Sequence, residues 1–210
     1  MKGLFYKEAR CLWQYGKSYI LLVVIFFGLA FLNGGSEGAN PLWLLYPVFF
    51  VGSLPASLLS ADEKDGWLTY CDTLPIGRRQ IVAVKYVASA ALTAAIVVLA
   101  LLIGALAGRF AVTGGAAAPL PMLVPLLLAV GLGVPALMYP VMFRFGATKG
   151  RAVYIAVVMV AAATCAVLMT SESVSGALDA LPILPVIVAA AAVFIGSWAL
   201  SVKWFEGREL

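Results

Sequence analysis

IVAVKYVASAALTAAIVVLALLIGAL, residues 81–106, contains one charged side chain, that of Lys85, close to its beginning. A helix of about 20 apolar residues is long enough to cross the roughly 30 Å hydrocarbon layer of a bilayer. The whole chain shares this character, because 63% of its 210 residues are hydrophobic and 11% are charged, whereas soluble domains carry about 25% charged residues. The sequence therefore predicts an integral membrane protein.

Five further apolar segments are long enough, or nearly so, to cross a bilayer. Together with 81–106 they give predicted spans at residues 18–32, 41–59, 81–106, 122–143, 152–169 and 181–202. Backbone exposed to lipid has to satisfy its own hydrogen bonds, and no barrel-like alternation is present, so each segment predicts a helix. We therefore expect an all-α integral membrane protein in which residues 1–210 form a single transmembrane domain of six helices.

The distribution of Lys and Arg predicts the orientation of these spans. Of the 14 basic residues, only Arg109 falls between spans on one side of the bundle. The other side collects Lys2, Lys7, Arg10, Lys17, Lys64, Arg78, Arg79, Lys85, Arg144, Lys149, Arg151, Lys203 and Arg208. Cytoplasmic loops carry an excess of Lys and Arg, so both termini are predicted to be cytoplasmic.

Residues 1–17 are predicted to form an amphipathic helix ahead of the first span. Its polar face holds Lys7, Arg10, Gln14 and Lys17, and its apolar face holds Phe5, Ala9, Leu12 and Trp13. Such a helix lies in the headgroup plane before the chain turns into the membrane; a basic flank that only anchors topology fits the pattern equally well. Lys85 is near enough to the cytoplasmic end of its span for its stem to reach the interface. The predicted membrane-interface residues are therefore Lys7, Arg10, Trp13, Lys17 and Lys85.

Motifs for catalysis, metal binding and nucleotide binding are missing from the sequence. Histidine is absent and the three cysteines have no paired spacing, so neither a metal site nor a disulfide framework is expected. The segment GATKGR, residues 146–151, lacks the Lys-Ser/Thr ending of a phosphate-binding loop. Basic residues beside apolar spans have a topological explanation, so no nucleic-acid partner is expected. We predict no catalytic residue, no metal and no cofactor on this chain.

Proline and glycine cluster in the predicted span 122–143. Pro125, Gly131, Gly133 and Pro135 are candidates for a bendable gate, although ordinary helix packing explains them equally well. The hydroxyls predicted to lie within the spans are those of Ser53, Ser57, Ser89, Thr93, Thr164 and Ser197. Each is expected to bond to a carbonyl of its own helix rather than to line a substrate path.

The stretch SADEKDGWLTYCDTLPIGRR, residues 60–79, is highly charged although apolar runs lie on both sides of it. Asp62, Glu63 and Asp65 would favour the N-terminus of a short helix over residues 64–73, which would end before Pro75. Its apolar side would consist of Trp67, Leu68, Tyr70, Cys71 and Leu74. That helix fits a groove in another protein, or it lies on the bilayer with Arg78 and Arg79 at anionic lipid headgroups. The residues alone favour neither interpretation.

The run LPIGRRQIVAVKYV, residues 74–87, with DEKDGWLTYCDT before it and MKGLFYKEAR at the start of the chain, resembles a known family. It is similar to the membrane subunits of type-2 ATP-binding-cassette exporters, in particular the small six-span branch that includes the phenol-soluble-modulin exporters of Gram-positive bacteria. The acidic-aromatic positions of that family fall on Asp62, Glu63, Trp67 and Tyr70. Its second signature falls on Leu74, Pro75, Arg78, Gln80, Val82, Lys85 and Tyr86.

This resemblance implies a permease in the bacterial cytoplasmic membrane that acts as a homodimer or pairs with a close paralogue. Two cytoplasmic ATPase subunits would bind ATP and Mg, membrane lipid would surround the permease, and the cargo would be an amphipathic peptide or another membrane-active molecule. Segment 62–79 would be the coupling helix that contacts the ATPase. The implied ATPase-coupling residues are Asp62, Glu63, Lys64, Asp65, Trp67, Tyr70, Leu74, Pro75 and Arg78.

Two other functions fit the sequence. A six-span substrate-capture subunit for vitamin uptake would bind its ligand from outside as a monomer, but the short and nearly uncharged external loops offer few polar contacts for that role. A membrane assembly or immunity protein would have no transport cycle and no associated ATPase.

Overall fold

The computed structural model describes residues 2–33, 42–71, 73, 77–110, 120–146, 149–150, 152–153, 155–156, 159 and 183–207. Within these residues no strand is found and six helices have defined bounds: α1 Lys2–Asn33, α2 Leu42–Lys64, α3 Trp67–Cys71, α4 Arg78–Phe110, α5 Leu120–Phe145 and α6 Ile183–Glu206. The described residues between 149 and 159 are helical as well. All except α3 are long and apolar enough to cross a membrane. The prediction of an all-helical membrane protein is confirmed. Most of the predicted span 152–169 lies outside the described residues.

Contacts between side chains give the direction of each helix. The rings of Phe26 in α1 and Tyr46 in α2 lie 5.3 Å apart, and Lys7 near the start of α1 contacts Asp62 near the end of α2, so these helices are antiparallel. Thr93 in α4 bonds to the carbonyl of Gly131 in α5, while Lys85 lies beside the later Tyr139. Helices α4 and α5 are therefore antiparallel as well.

Helices α5 and α6 run parallel to each other. Ser197 bonds to the carbonyl of Ala136, and seven to eight residues further along both helices the rings of Phe143 and Phe205 lie 5.0 Å apart. The beginnings of α1 and α4 and the ends of α2, α5 and α6 therefore meet at one end of the bundle. This end, called the basic end below, holds Lys7, Lys64, Arg78, Arg79, Lys85, Arg144 and Lys203.

Helix α1 differs from its prediction because it is one uninterrupted helix. The expected turn between an interfacial segment 1–17 and a span 18–32 was wrong, since Lys2–Asn33 is helical throughout. No proline interrupts it, and a single interior glycine such as Gly16 costs only about 1 kcal/mol. Its 32 residues span about 48 Å, which exceeds the hydrocarbon thickness. The first turns are also held to the bundle by ion pairs of Lys7 and Glu8.

The end of α2 also differs from its prediction. The helix extends five residues past the predicted boundary at residue 59 and ends at Lys64. Gly66 adopts φ 69°, a left-handed conformation common just past a helix C-terminus. Its carbonyl then accepts the Tyr70 amide at 3.0 Å and begins α3. Asp62 and Glu63 therefore lie in the last turn of α2, so their predicted place at the N-terminus of the short helix was wrong.

Two apolar clusters fill the interior of the described bundle. The cluster at the basic end is built around Tyr86, Tyr139, Phe143 and Phe205, and it includes Leu68 and Cys71 from α3. The cluster at the opposite end is built around Phe27, Val48, Ile96 and Leu127. Burial of Leu68 in the cluster at the basic end, worth about 1.5–3 kcal/mol relative to exposure to water, positions α3 as part of the bundle.

Helix α5 remains continuous although three of its prolines, Pro125, Pro135 and Pro140, lie in its interior. A proline has no N–H for the carbonyl four residues earlier, so Pro135 and Pro140 free the carbonyls of Gly131 and Ala136. Thr93 of α4 donates to the Gly131 carbonyl at 3.0 Å, and Ser197 of α6 donates to the Ala136 carbonyl at 2.5 Å. Side-chain hydroxyls of neighbouring helices can satisfy such groups at membrane depth. These two bonds tie α5 to both neighbours.

The predicted hydrogen-bond partners of the hydroxyls are therefore confirmed in part. Ser53 and Ser89 donate to carbonyls of their own helices, those of Phe50 at 2.7 Å and Lys85 at 2.8 Å. The own-helix prediction was wrong for Thr93 and Ser197, because a proline in the facing helix supplies a carbonyl without another donor.

We predict that Thr93→Val lowers the free energy of unfolding by about 1–3 kcal/mol, since it leaves the buried Gly131 carbonyl without a donor. Chemical unfolding in detergent micelles measures this. Ser53→Ala is the matched control, because the Phe50 carbonyl keeps the amide of Leu54 as a helical donor, and its effect should be smaller. Equal effects of the two variants would contradict the prediction.

Candidate functional site

Helix α3 and the end of α2 present one buried and one exposed side at the basic end. Leu68 and Cys71 are 3% and 0% exposed and pack in the core, and half-buried Trp67 packs beside them. The exposed side chains are those of Lys64, Asp65, Thr69, Tyr70 and Thr73, which we call the α3 outer face. The apolar side predicted to enter another protein is thus used mainly by this chain itself. Leu74 and Pro75 lie outside the described residues.

A closed ring of four charges lies directly behind α3. Lys85 Nζ is 2.9 Å from Glu8 Oε1 and 2.5 Å from Asp62 Oδ2. Lys7 Nζ bonds to Asp62 Oδ1 and is 3.6 Å from Glu8 Oε1. Each ammonium therefore contacts both carboxylates, and the four formal charges cancel. The ring joins α1, α2 and α4.

Burial of the ring explains why its charges are paired. The side chain of Lys85 is 2% exposed, and those of Glu8 and Asp62 are 7% and 9% exposed. A buried charge is costly unless a partner of opposite sign and hydrogen bonds compensate it. The prediction that the Lys85 stem reaches the membrane interface was wrong, because its ammonium is held inside the protein by two carboxylates. Lys7, expected on an outer polar face, is turned inward for the same reason.

The ring also contacts α3. Lys7 Nζ lies 4.7 Å from the centre of the Trp67 ring, within the range of a cation–π interaction. The Trp67 and Tyr70 rings lie 5.7 Å apart. One chain of contacts therefore runs from the buried charges through Trp67 to the exposed Tyr70.

Arg78 joins α4 to the end of α6. Its guanidinium donates to the carbonyls of Phe205 at 3.1 Å and Glu206 at 3.4 Å, and lies 5.6 Å from the centre of the Phe205 ring. The last carbonyls of a helix have no intrahelical donor, and a basic side chain there satisfies them. Arg78 thus has a structural contact in addition to any role in coupling.

The sequence over residues 3–206 matches the family model of the ABC-2 family transporter protein. The chain belongs to this family. It is the membrane permease of an ATP-binding-cassette transporter, and ATP is hydrolysed by a separate subunit. The predicted type-2 permease family is thereby confirmed. No curated protein and no solved structure matches the chain.

The other predicted sites of the permease are placed apart from α3. Arg10, Trp13 and Lys17 are exposed along α1. Pro125, Gly131, Gly133 and Pro135 lie within α5, where a Cβ on Gly131 would come 2.5 Å from Thr93 Cγ2 and 3.1 Å from Val48 Cγ1. Gly131 therefore permits a close approach of α5 to α2 and α4.

Glu8 is the functional-site residue that sequence reasoning missed. It is the only acidic residue among the basic residues ahead of the first predicted span. A lysine inside an apolar helix requires a partner of opposite charge, and that requirement was the available signal. It could not distinguish Glu8 from other acidic residues near the same end.

We predict that Lys85→Met lowers the free energy of unfolding of the permease by about 3–5 kcal/mol, because it leaves two buried carboxylates with the ammonium of Lys7 as their remaining ring cation. Unfolding in detergent micelles followed by tryptophan fluorescence measures the change. Lys64→Met, at an exposed lysine of the same end, should change the free energy of unfolding by no more than about 0.5 kcal/mol. A Lys85 variant as stable as the Lys64 variant would show that the ring does not stabilise the fold.

Proposed function

We propose that the permease is the membrane subunit of an exporter and that its ATPase docks on the α3 outer face. The observation that carries this proposal is the two-sided packing of α3 in a member of this family. Leu68 and Cys71 anchor α3 in the bundle, and Tyr70 on the opposite side is 55% exposed. A force applied to the outer face would therefore be passed to the bundle core. ATP and Mg would be bound by the ATPase subunits.

The basic end supports a cytoplasmic location for this surface. The described Lys and Arg residues other than Arg109 are placed in helices or turns that begin or end there. The excess of basic residues on the cytoplasmic side of membrane proteins favours that orientation, with both termini inside the cell. ATP is then available to a subunit bound at α3. We place the protein in the cytoplasmic membrane of a bacterium.

A sixth span at residues 152–169 is part of the proposal. Helices α5 and α6 are parallel, so the chain leaves α5 at the basic end and enters α6 at the opposite end. The intervening segment has to connect those two ends, and residues 152–169 are apolar enough to do so within the membrane.

We further propose that two copies of the permease, or this chain and a close paralogue, form the complete pore above two ATPases. The exposed surfaces of α1 and α6 support this arrangement. Their large apolar side chains include Leu21 at 68%, Val24 at 61%, Leu184 at 72% and Ile195 at 62% exposure. Lipid and a second subunit can both cover such surfaces.

The proposed cargo is an amphipathic peptide or another membrane-active molecule. A cavity of about 570 Å³ lies between α1, α2 and α4, and apolar side chains such as Leu12, Val23, Leu54 and Ile96 line it. A cavity of this size with an apolar lining suits a hydrophobic ligand. Movement of α5 at Pro125, Gly131, Gly133 and Pro135 is the proposed gate; it would require the bonds from Thr93 and Ser197 to rearrange.

Reconstitution tests the function directly. The permease is tagged and purified from its host with any bound ATPase, and the complex is placed in lipid vesicles with a fluorescent amphipathic helical peptide. We expect ATP-dependent peptide movement across the bilayer from the side of ATP addition. A permease without an associated ATPase would favour a membrane assembly or immunity role, and ligand bound by the isolated monomer would favour a capture subunit.

We predict that Tyr70→Ala weakens binding of the ATPase at least tenfold, the effect of about 1.4 kcal/mol at a contact centred on an exposed aromatic side chain. The amount of ATPase recovered with the tagged permease, titrated in detergent, measures this. Tyr46→Ala is the control, since Tyr46 is 41% exposed at the opposite end of the bundle. Equal recovery with both variants would exclude Tyr70 from the docking surface.

A further inference from the structure

We infer that the four-charge ring makes the beginning of α1 move together with the α2–α3 joint, so that Lys7 and Glu8 are positioning residues of the transport cycle. The inference rests on the proposed docking of an ATPase at α3. It assigns a role to α1, which does not belong to the docking surface itself.

The geometry of the ring connects α1 to two other helices at once. Glu8 contacts Lys85 of α4 at 2.9 Å, and its neighbour Lys7 bonds to Asp62 at the end of α2. Lys7 also lies over Trp67 of α3. A displacement of the α2–α3 joint therefore acts on α1 through two adjacent residues.

The energetics of the ring make this connection stiffer than the other contacts of α1. Drawing α1 away would separate Lys7 from Asp62 and Glu8 from Lys85. Lys85 and Asp62 would stay beside each other in the interior. Breaking a buried ion pair is strongly unfavourable. The polar contact between α1 and α2 from Tyr19 to Ser57 is longer, at 3.4 Å. The apolar packing of α1 residues such as Phe27 is non-directional and resists sliding less.

The place of the ring also connects it with the cavity. The cavity lining begins at Ala9, the residue after Glu8, and continues along α1 through Leu12 and Gly16. Its other walls come from α2 and α4, the two helices that the ring joins to α1. Movement at the ring therefore changes the spacing of all three cavity walls.

A double variant separates this role from ordinary stabilisation. Lys7→Met/Glu8→Leu removes both charges of α1 and leaves the neutral pair of Lys85 and Asp62, which are 2.5 Å apart. The buried charges therefore remain balanced while the link to α1 is cut. Lys7→Arg/Glu8→Asp is the matched control, because it keeps both charges in place.

The measurement is the number of fluorescent peptides moved per ATP hydrolysed by the complex in vesicles. We expect this ratio to fall about fivefold or more in the Lys7→Met/Glu8→Leu variant. A factor of about five is the lower end of typical coupling between distant sites. ATP hydrolysis and recovery of the ATPase should persist. The Lys7→Arg/Glu8→Asp variant should recover most of the ratio, which a loss of packing alone would not predict.

A distance measurement provides the second readout. Spin labels at exposed Gly3 and at half-buried Ala61, which lies in the last turn of α2 and outside the α3 outer face, report the separation of α1 from the α2–α3 joint after the three natural cysteines have been replaced. We expect that separation to stay constant between nucleotide-free and ATP-bound complexes, and to change on ATP binding in the Lys7→Met/Glu8→Leu variant. If that variant does not reach the membrane, Lys7→Gln/Glu8→Gln, which removes the same two charges, takes its place with the same two readouts.

An unchanged transport ratio together with an unchanged label separation in the variant would overturn the inference. A wild-type complex that shows no ATPase binding or no ATP-dependent movement would instead overturn the proposed function. The two failures are therefore distinguishable.

Discussion

The ammonium of Lys85, buried between the carboxylates of Glu8 and Asp62, is the interaction on which the rest of the arrangement depends. It brings together residues 77 and 23 positions apart in the chain. Because a buried charge has to be compensated, α1 and the end of α2 are both fixed relative to α4. Helix α2 is thereby extended past the predicted membrane boundary, and α3 follows it at Gly66 with its inner side in the core. The exposed position of Tyr70 is a consequence of that packing.

A second set of polar contacts joins α4, α5 and α6. The carbonyls freed by Pro135 and Pro140 are bonded by Thr93 and Ser197, and Tyr86 bonds to Ser197 and Ser201 at 2.7 Å each. These bonds and the ion pairs fix different helices. The ring fixes α1 and α2, whereas the hydroxyls fix α5 and α6. Helix α4 takes part in both sets. In a membrane, where apolar surfaces give little preference between lipid and protein, such polar contacts supply much of the specificity of helix pairing.

Much of the fold could be predicted from the sequence because the membrane restricts the choices. Apolar length predicts the helices, and the positions of Lys and Arg predict that α2 ends and α4 begins at one end. The partner of Lys85 could not be predicted, since several acidic residues lie near that end. The loss of a donor at Pro135 follows from its position four residues after Gly131, but the replacement donor depends on which helix lies opposite. Gly66 itself indicates the end of α2, because glycine is common just past a helix C-terminus. The acidic residues around it instead favoured a helix N-terminus at this place.

The neutrality of the ring has a consequence for biosynthesis. Translation delivers Lys7, Glu8 and Asp62 before Lys85, so the nascent hairpin of α1 and α2 supplies two carboxylates of the ring but one of its two ammonium groups. That hairpin cannot bury all three groups at low cost in lipid. Insertion of α4 adds the second ammonium, so the closed ring requires α4 in addition to the first two spans.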